Sequence, residues 1–427
     1  MYVYVLDTSG HPLMPTQRFG KVKRMLDDGL AKVVRKEPFT IQLLYEPKTK
    51  VTQDVFLGVD TGSRYIGAAA YSEGRILYAS EVEIRNDITK KMDDRRSCRR
   101  NRRYRKTRYR KPRFLNRKNS TKKDRFNPTM VSKINSHVRE IEFIKSILPI
   151  NKKASEKAIF DPHLLKMQEE GKPFNRYWGY LKGPNYGFAN AKAACLNRGN
   201  YTCQYCKTKK GTLNVHHIVF KRDGGADTID NFIVLCEKCH KALHAGKLKN
   251  FEKKLKGRRK GRLKHATQMN SVRKQLFIIY PDMMETYGFI TKENRQLLGL
   301  PKAHFIDACV IASGGKPFEM PDYYYKKKHV SKGDYQLTKG NRGEIKIPTG
   351  KIKGFRKFNK VNYLGEECFI KGRMSTGYAF LMDIDGNTIK FDDAPRGCKT
   401  PKMANLIKVS ARSTTLCTKV KTMLNTI

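Results

Sequence analysis

The sequence predicts a multidomain chain of mixed α/β and α+β character, and three observations lead there. Alternating apolar strands over Phe56–Val82 are followed at a distance by helix-period segments at Ser132–Leu148 and Lys302–Ser313, the pattern of a sheet covered by helices. The stretch Cys203–His244 is too short to bury a core and concentrates cysteine and histidine instead. From Lys316 onward the chain becomes basic and glycine-rich with short strands, as in a small β-barrel or sandwich. A length of 427 residues leaves room for roughly two to four domains.

In chain order, Met1–Lys50 reads as a small α+β unit. A strand at its start is broken by His11-Pro12-Leu13-Met14-Pro15, Gln17–Asp28 has helical spacing, and strands return at Ala31–Val34 and Thr40–Tyr45. Phe56–Val82 divides into three strands with turns at Thr61–Arg64 and Ser72–Gly74, and it presents Asp60 at a strand end before a glycine turn. That is a place for a metal-binding carboxylate, although aspartate also caps turns. Lys90–Lys118 holds sixteen Lys or Arg in 29 residues, interleaved with Tyr104, Tyr109 and Phe114, and lacks a breaker before Pro112. A long helix that meets phosphate and stacks on bases fits this run; a solvated or targeting segment is the alternative. Ala154–Leu165 places Glu156 on a strand near Asp60, and Lys166–Asn190 reads as a linker. His137 and His163 are expected at the surface. Beyond the cysteine-rich stretch, Lys247–Lys264 is a second basic segment, Ser271–Tyr280 suggests a strand, and Lys292–Leu298 a short helix. In Lys302–Ser313, His304 and Asp307 share a helix face, which implies either an ion pair between them or a joint role in binding.

Lys plus Arg number 88 against 39 acids, a formal charge of +49 with pI near 10. A polyanionic partner follows, because each cation that meets a phosphate releases counterions. The sequence shows no run of 18 apolar residues, signal peptide or amphipathic anchor, so no membrane partner and a cytoplasmic location are expected. Six of the ten cysteines lie scattered without a disulfide-like framework, which suits a reducing compartment. Among them Cys195 reads as a free thiol.

Within Cys203–His244, the pairs Cys203/Cys206 and Cys236/Cys239 supply four thiolates, the set of a closed structural zinc site. A strand over Val215–Phe220, a turn at Asp223-Gly224-Gly225 and a further strand at Phe232–Leu235 lead to a helix from near Cys236. His240 and His244 then lie four apart on one helix face. With His216 turned toward that face, a divalent metal gains two or three imidazole ligands. His217 points the other way, free to take a proton from water. This order resembles the HNH nuclease module, a ββα-metal fold. The resemblance implies that His217 is the general base, His216 and His240 are ligands, His244 is a possible third, and Asn231 orients the base. A zinc ribbon that only binds is the alternative.

Asp60, Glu156 and Asp307, distant in sequence, can border one sheet. Three such carboxylates can hold two magnesium ions for phosphodiester cleavage, with His304 positioning or deprotonating the water. GVDTGSRYIG at 58–67, the arginine-rich helix, the HNH-like module and HFIDACVIAS at 304–313 together resemble a RuvC nuclease of ribonuclease H-like fold, split in three around an HNH insertion. This arrangement is similar to the CRISPR-associated dual nucleases, and with Pro12-Leu13-Met14-Pro15 it resembles their transposon-encoded relatives, the IscB family. The resemblance implies a PLMP-type domain at 1–50, RuvC segments at 51–89, 123–190 (with linker) and 249–316 (with linker), a bridge helix at 90–122, HNH with its zinc at 191–248 and a β-rich domain at 317–427. It further implies a prokaryotic, nucleoid-acting, RNA-guided endonuclease, monomeric in a ribonucleoprotein with a structured guide RNA. HNH would cut the guide-paired strand of a DNA duplex and RuvC the displaced one, while the C-terminal domain contacts the RNA and a short target-adjacent motif. An unguided homing or restriction-type HNH enzyme and a non-catalytic RNA-binding protein are the competing functions.

Overall fold

The computed structural model describes residues 1–47, 51–106, 126–157, 167, 183–220, 223, 225–226, 228–257, 264–331, 352–374, 376–391, 400–410 and 413–422. Much of the 166–190 segment, the aromatic residues Tyr109 and Phe114, His163 and Gly224 of the expected turn lie outside them. The chain forms two compact units, residues 1–158 with 272–427, and residues 159–271.

The first unit opens with a three-stranded sheet of β1 (Tyr4–Leu6), β2 (Ala31–Lys36) and β3 (Phe39–Leu43) in the order β1-β3-β2, with α1 (Phe19–Asp27) between β1 and β2. Val3, Val22, Ala31, Ile41 and Leu43 make its core.

A seven-stranded sheet forms the centre. β4 (Phe56–Thr61), β5 (Tyr65–Ser72) and β6 (Arg75–Glu83) are an antiparallel meander. α2 (Ile88–Lys106) and α3 (Pro128–Lys145) precede β7 (Lys152–Glu156), which lies parallel to β4. Beyond Ile88 at its start, which is buried, no residue of α2 up to Asn101 is buried, and Arg95, Arg96, Arg99 and Arg100 are exposed. A helix polar all round has no core to join and suits a charged partner. α3 is capped by the Asn127 side chain, which accepts from the Met130 amide, with Pro128 following.

In the second unit α4 (Ala191–Arg198) is followed by β8 (Leu213–His217), a 3-10 turn at Ile229–Asn231, β9 (Phe232–Cys236), α5 (Glu237–His244) and α6 (Lys249–Lys254). α7 (Lys264–Ile279) crosses the division between the units and leads to β10 (Met283–Thr286), parallel to β7. α8 (Gly288–Leu297) and α9 (His304–Ser313) follow. β11 (Tyr323–His329) pairs parallel with β6. Next come β12 (Lys360–Tyr363), β13 (Glu366–Arg373), β14 (Ala379–Met382) and β15 (Ile407–Ser410), which form a separate sheet ordered β14-β13-β12-β15. β16 (Thr415–Lys421) returns to pair with β11, so the central sheet runs β10-β7-β4-β5-β6-β11-β16.

Three expectations are corrected. Ser271–Ile279 is helix, not strand: the buried residues Val272, Arg273 and Leu276, with Tyr280 just beyond the helix, recur at helical spacing, which outweighs the strand preference of Phe277-Ile278-Ile279. His137 is wholly buried, not a surface residue. The strands flanking the small C-terminal sheet, β11 and β16, belong to the central sheet, and of the lysines in Tyr323–Lys328 one, Lys327, is buried within it.

Lys327 shows how the sheet tolerates that charge. Its ammonium meets both oxygens of buried Glu140 on α3 at 2.8 and 3.0 Å and lies 3.7 Å from the Phe143 ring centre. Tyr78 and Ser80 of β6 also donate to Glu140, at 2.9 and 2.8 Å. Ala79, between them, faces the other side of the sheet and packs with Phe305, Ile306, Ala308 and Cys309 of α9. Among the described residues no helix is long and apolar enough to cross a membrane.

Two glycines let α9 reach the sheet. A β-carbon on Gly58 would meet the Ala308 carbonyl oxygen at 2.3 Å and the Ala312 nitrogen at 2.4 Å, and one on Gly67 would meet the His304 carbonyl oxygen at 1.8 Å. Gly67→Ala is expected to destabilise this unit by about 1–3 kcal/mol or more through overpacking against backbone, measured as a lowered denaturation midpoint. Acid should act separately. Burial holds His137 and His329 down to about 4, so between their unfolded values near 6.5 and about 4 the unfolded chain binds more protons. Stability is therefore lost as pH falls through that window, approaching about 1.4 kcal/mol per pH unit for each histidine. Denaturant titrations from pH 7 to 4 on the protein and on His329→Gln, which should flatten the slope, check this.

Candidate metal centres and nuclease site

The second unit brings its cysteines together. The Sγ atoms of Cys203, Cys206, Cys236 and Cys239 all lie within 4.8 Å of one another, with Cys206 and Cys236 at 3.7 Å. The Cys203 amide donates to the Thr208 carbonyl and the Lys207 amide returns to the Cys203 carbonyl, closing a turn in which Lys207 takes a left-handed φ of 63°. Burial alone would raise the Cys203 thiol, but hydrogen bonds from backbone around Cys236, Cys206 and Tyr205 bring it to about 6, favouring a thiolate. Four sulfurs in this grouping suit zinc. Cys195 is buried elsewhere beside Arg198.

A second cluster forms across β8 and α5. The side-chain nitrogens of His216, His240 and His244 also lie within 4.8 Å of one another, and His240 and His244 present Nε2 atoms 3.3 Å apart. His216 is buried, and burial followed by the nearby His244 and His240 lowers it to about 4, so it is neutral near pH 7. Three imidazole nitrogens grouped this closely fit a divalent metal. His217, next on β8, turns away and meets the Phe232 ring edge-on at 4.7 Å.

Asn231 is fully buried. Its Oδ1 accepts from the Val219 amide at 2.9 Å, and its Nδ2 donates to the carbonyls of Val219 and Ala226 at 3.0 and 2.9 Å. It therefore clamps the loop that leaves His217. Two glycines make room for this clamp, Gly225, which the sequence places in a turn, and Gly257, which sequence reasoning missed. A β-carbon on Gly225 would meet the Val219 carbonyl oxygen at 1.9 Å, and one on Gly257 would meet Asn231 Oδ1 at 2.7 Å.

In the first unit, Asp60 lies at the end of β4, and His304 at the start of α9 meets it with Nδ1 and Oδ2 2.6 Å apart. Tyr65 stacks on the His304 ring at 5.6 Å, and the hydrogen bond to Asp60 raises the His304 pKa. Of the two sequence alternatives for His304 and Asp307, the mutual pair is not formed by His304 Nδ1, which takes Asp60. Glu156 ends β7, one residue beyond the Val59–Ser155 pairing, and so lies beside Asp60. Burial and then the Asp60 charge raise both Glu156 and Asp307.

The three acids share one end of the sheet without closing on each other. Among the described residues, the groups of three or more candidate ligands within 4.8 Å are the cysteine and histidine clusters. Glu156 and Asp307 instead each meet an arginine. Arg273 of α7, 6% exposed, donates to Thr61 Oγ1 at 2.8 Å and lies 3.3 Å from Glu156 Oε2. Arg295 Nε lies 2.9 Å from Asp307 Oδ1, an ion pair without the alignment of a hydrogen bond. Sequence reasoning missed both arginines; an arginine amid buried apolar positions of a helix, as at 273, is the signal for one.

The comparisons agree with this division. The family described as RRXRR protein matches residues 3–174, and the family described as HNH endonuclease matches residues 203–246. Arg99-Arg100-Asn101-Arg102-Arg103 spells the first pattern. The chain is 40% identical over 57 residues to the type IV methyl-directed restriction enzyme EcoKMcrA of Escherichia coli (strain K12), which is 13% of this chain and 21% of that protein. It is 33% identical over 64 residues to anaredoxin of Nostoc sp. (strain PCC 7120 / SAG 25.82 / UTEX 2576), 15% of this chain and 84% of that protein. The chain thus spans about a fifth of the restriction enzyme's length, and over the stretch shared with anaredoxin it belongs to the same family as that protein. Residues 203–246 contain every member of both metal-ligand clusters, so these lie inside an HNH endonuclease domain.

Cys203→Ser is expected to release zinc and unfold this domain while leaving the first unit folded. Metal content by mass spectrometry, with limited proteolysis, checks both halves of that outcome.

Proposed function

We propose that this chain, which carries an RRXRR domain and an HNH endonuclease domain, is an RNA-guided DNA endonuclease of the IscB kind with two nuclease sites. The observation that carries this reading is the pair of independent catalytic groupings: an imidazole triad with its ligand atoms within 4.8 Å, and an Asp60–His304 pair at 2.6 Å beside Glu156 and Asp307. The sheet order β6-β5-β4-β7-β10, an antiparallel meander continued by two parallel strands, supports a ribonuclease H-like, RuvC-type assignment for the second site. The exposed arginines of α2 support a bridge helix on RNA.

In the HNH site His216, His240 and His244 would hold a divalent metal, which polarises the phosphodiester and stabilises the leaving oxygen. His217 takes the proton of the attacking water, held by Phe232 on one side. Asn231 fixes the loop beyond it, so the base keeps its aim.

In the sheet site Asp60, Glu156 and Asp307 would hold magnesium, which supplies water activation and charge neutralisation. Burial first and then the Asp60 charge raise the Glu156 and Asp307 carboxyls, a condition that a dication relieves. His304, tethered to Asp60, positions or deprotonates the water. HNH then cuts the guide-paired strand and the sheet site the displaced strand. The four-stranded C-terminal sheet contacts the RNA and the target-adjacent motif, and the cysteine-bound zinc holds the HNH fold.

The relationship to a restriction enzyme favours a second reading, an unguided endonuclease. The protein purified with its RNA should cut both strands of a matched duplex in magnesium. His217→Ala should leave a nick in the displaced strand alone and Asp60→Ala a nick in the paired strand alone, each lost cut falling by at least about a hundredfold. Separately end-labelled strands on denaturing gels read this out. Cutting unchanged after removal of RNA would favour the restriction-type enzyme.

A further inference from the structure

Beside Glu156 the structure leaves two aromatic rings in solvent. Tyr287 and Phe289 lie with ring centres 5.9 Å apart and planes 19° from parallel, and they are 43% and 69% exposed. Large rings normally supply core burial, so an exposed stacked pair is a feature that folding alone does not call for.

Its position is fixed by the carboxylate. Thr286 stands opposite Glu156 in the pairing of β10 with β7. A β-carbon on Gly288, between the two rings, would lie 3.4 Å from both Glu156 carboxylate oxygens, and the Thr291 hydroxyl donates to the Tyr287 carbonyl at 3.4 Å. The backbone that carries the rings thus lies directly against the acid. The carboxylates of this site would act, through their metal, on a phosphate. A substrate strand also needs its nucleotide oriented, and three carboxylates repel the very phosphate they must cut. Base stacking is indifferent to that repulsion and tolerant of sequence.

We propose that Tyr287 and Phe289 form a stacking platform for an unpaired base of the DNA strand cut at the Asp60–Glu156–Asp307 site. This rests on the nuclease reading of that site. Phe289, the more exposed ring, receives the base, and Tyr287 backs it. Lys292, exposed on the same helix, offers a cation to the adjoining backbone phosphate. The two rings are positioning residues: they set where the scissile phosphate falls and take no part in bond making. Met284, Ile290 and Leu297 are exposed nearby and widen the apolar surface, so a protein contact is the competing occupant.

Full-length protein is titrated with a single-stranded oligodeoxynucleotide carrying 2-aminopurine, with binding followed independently by anisotropy of an end label. At saturation the 2-aminopurine emission should be quenched by the unsubstituted protein and by Phe289→Trp, and the quench should be largely lost in Phe289→Ala. A quench equal in Phe289→Ala overturns the platform. So does self-association, measured by sedimentation, that Phe289→Ala abolishes while the quench persists, since the patch is then a protein contact. With RNA and a matched duplex, Phe289→Ala should slow displaced-strand cutting about tenfold, leave paired-strand cutting unchanged, and be rescued by Phe289→Trp. Displaced-strand cutting equal in all variants sinks the platform and leaves the nuclease reading standing. A quench that depends on Phe289, with the displaced strand never cut, leaves the base-binding pair standing and sinks the nuclease reading.

Discussion

The close approach of α9 to the central sheet is the constraint on which the first site depends. A helix packed over side chains would ride several ångströms higher and carry His304 and Asp307 away from β4. At Gly58 and Gly67 there are no side chains, and the backbones of Ala308, Ala312 and His304 occupy the space that β-carbons would fill. Gly67 pairs with Asp60 across β4 and β5, so the glycine that admits the His304 carbonyl sits directly beside the aspartate that His304 binds. One steric allowance thus fixes both the packing and the 2.6 Å contact. The distance from packing to chemistry is a single residue pair.

Charge balance follows from the same crowding. Asp60, Glu156 and Asp307 at one sheet end would be costly to ionise together in a half-buried setting, and burial with mutual repulsion raises the latter two. Arg273 and Arg295 offset that cost in the chain itself. The pair Glu140–Lys327 solves a comparable problem deeper in the sheet, but there tyrosine and serine hydroxyls complete the carboxylate's hydrogen bonds and Phe143 covers the ammonium. That network is saturated and structural. At the sheet end the carboxylates are less completely satisfied, as the misaligned Arg295–Asp307 contact shows, and groups so placed can exchange an arginine for another cation.

Local chemistry was legible in the sequence where spacing alone determines it. The two Cys-x2-Cys pairs and the i, i+4 histidines report contacts within about forty residues, and both clusters form. The strands around Asp60 were equally plain, because a turn of glycine and polar residues ends each apolar run. Long-range partnership was not legible. Nothing near Arg273 announces Thr61, more than two hundred positions away, and its helix hides behind the β-branched run at Ile278-Ile279. His137 carries no local mark of burial; the central sheet covers it. β11 and β16 look like parts of a separate β unit because their lysines suggest solvent, until Glu140 on a distant helix is found to take one of them.

The two sites are therefore held by different physics, and that difference bears on how the molecule can work. The HNH domain brings together four sulfurs and a clamp, Asn231, whose side chain hydrogen-bonds Val219 and Ala226, twelve and five positions away. The sheet site is assembled from β4, β7, α7 and α9, elements drawn from across the chain, and exists only when that unit is folded around them. One site is assembled within the unit of residues 1–158 with 272–427, and the other lies inside the HNH endonuclease domain carried between those two pieces.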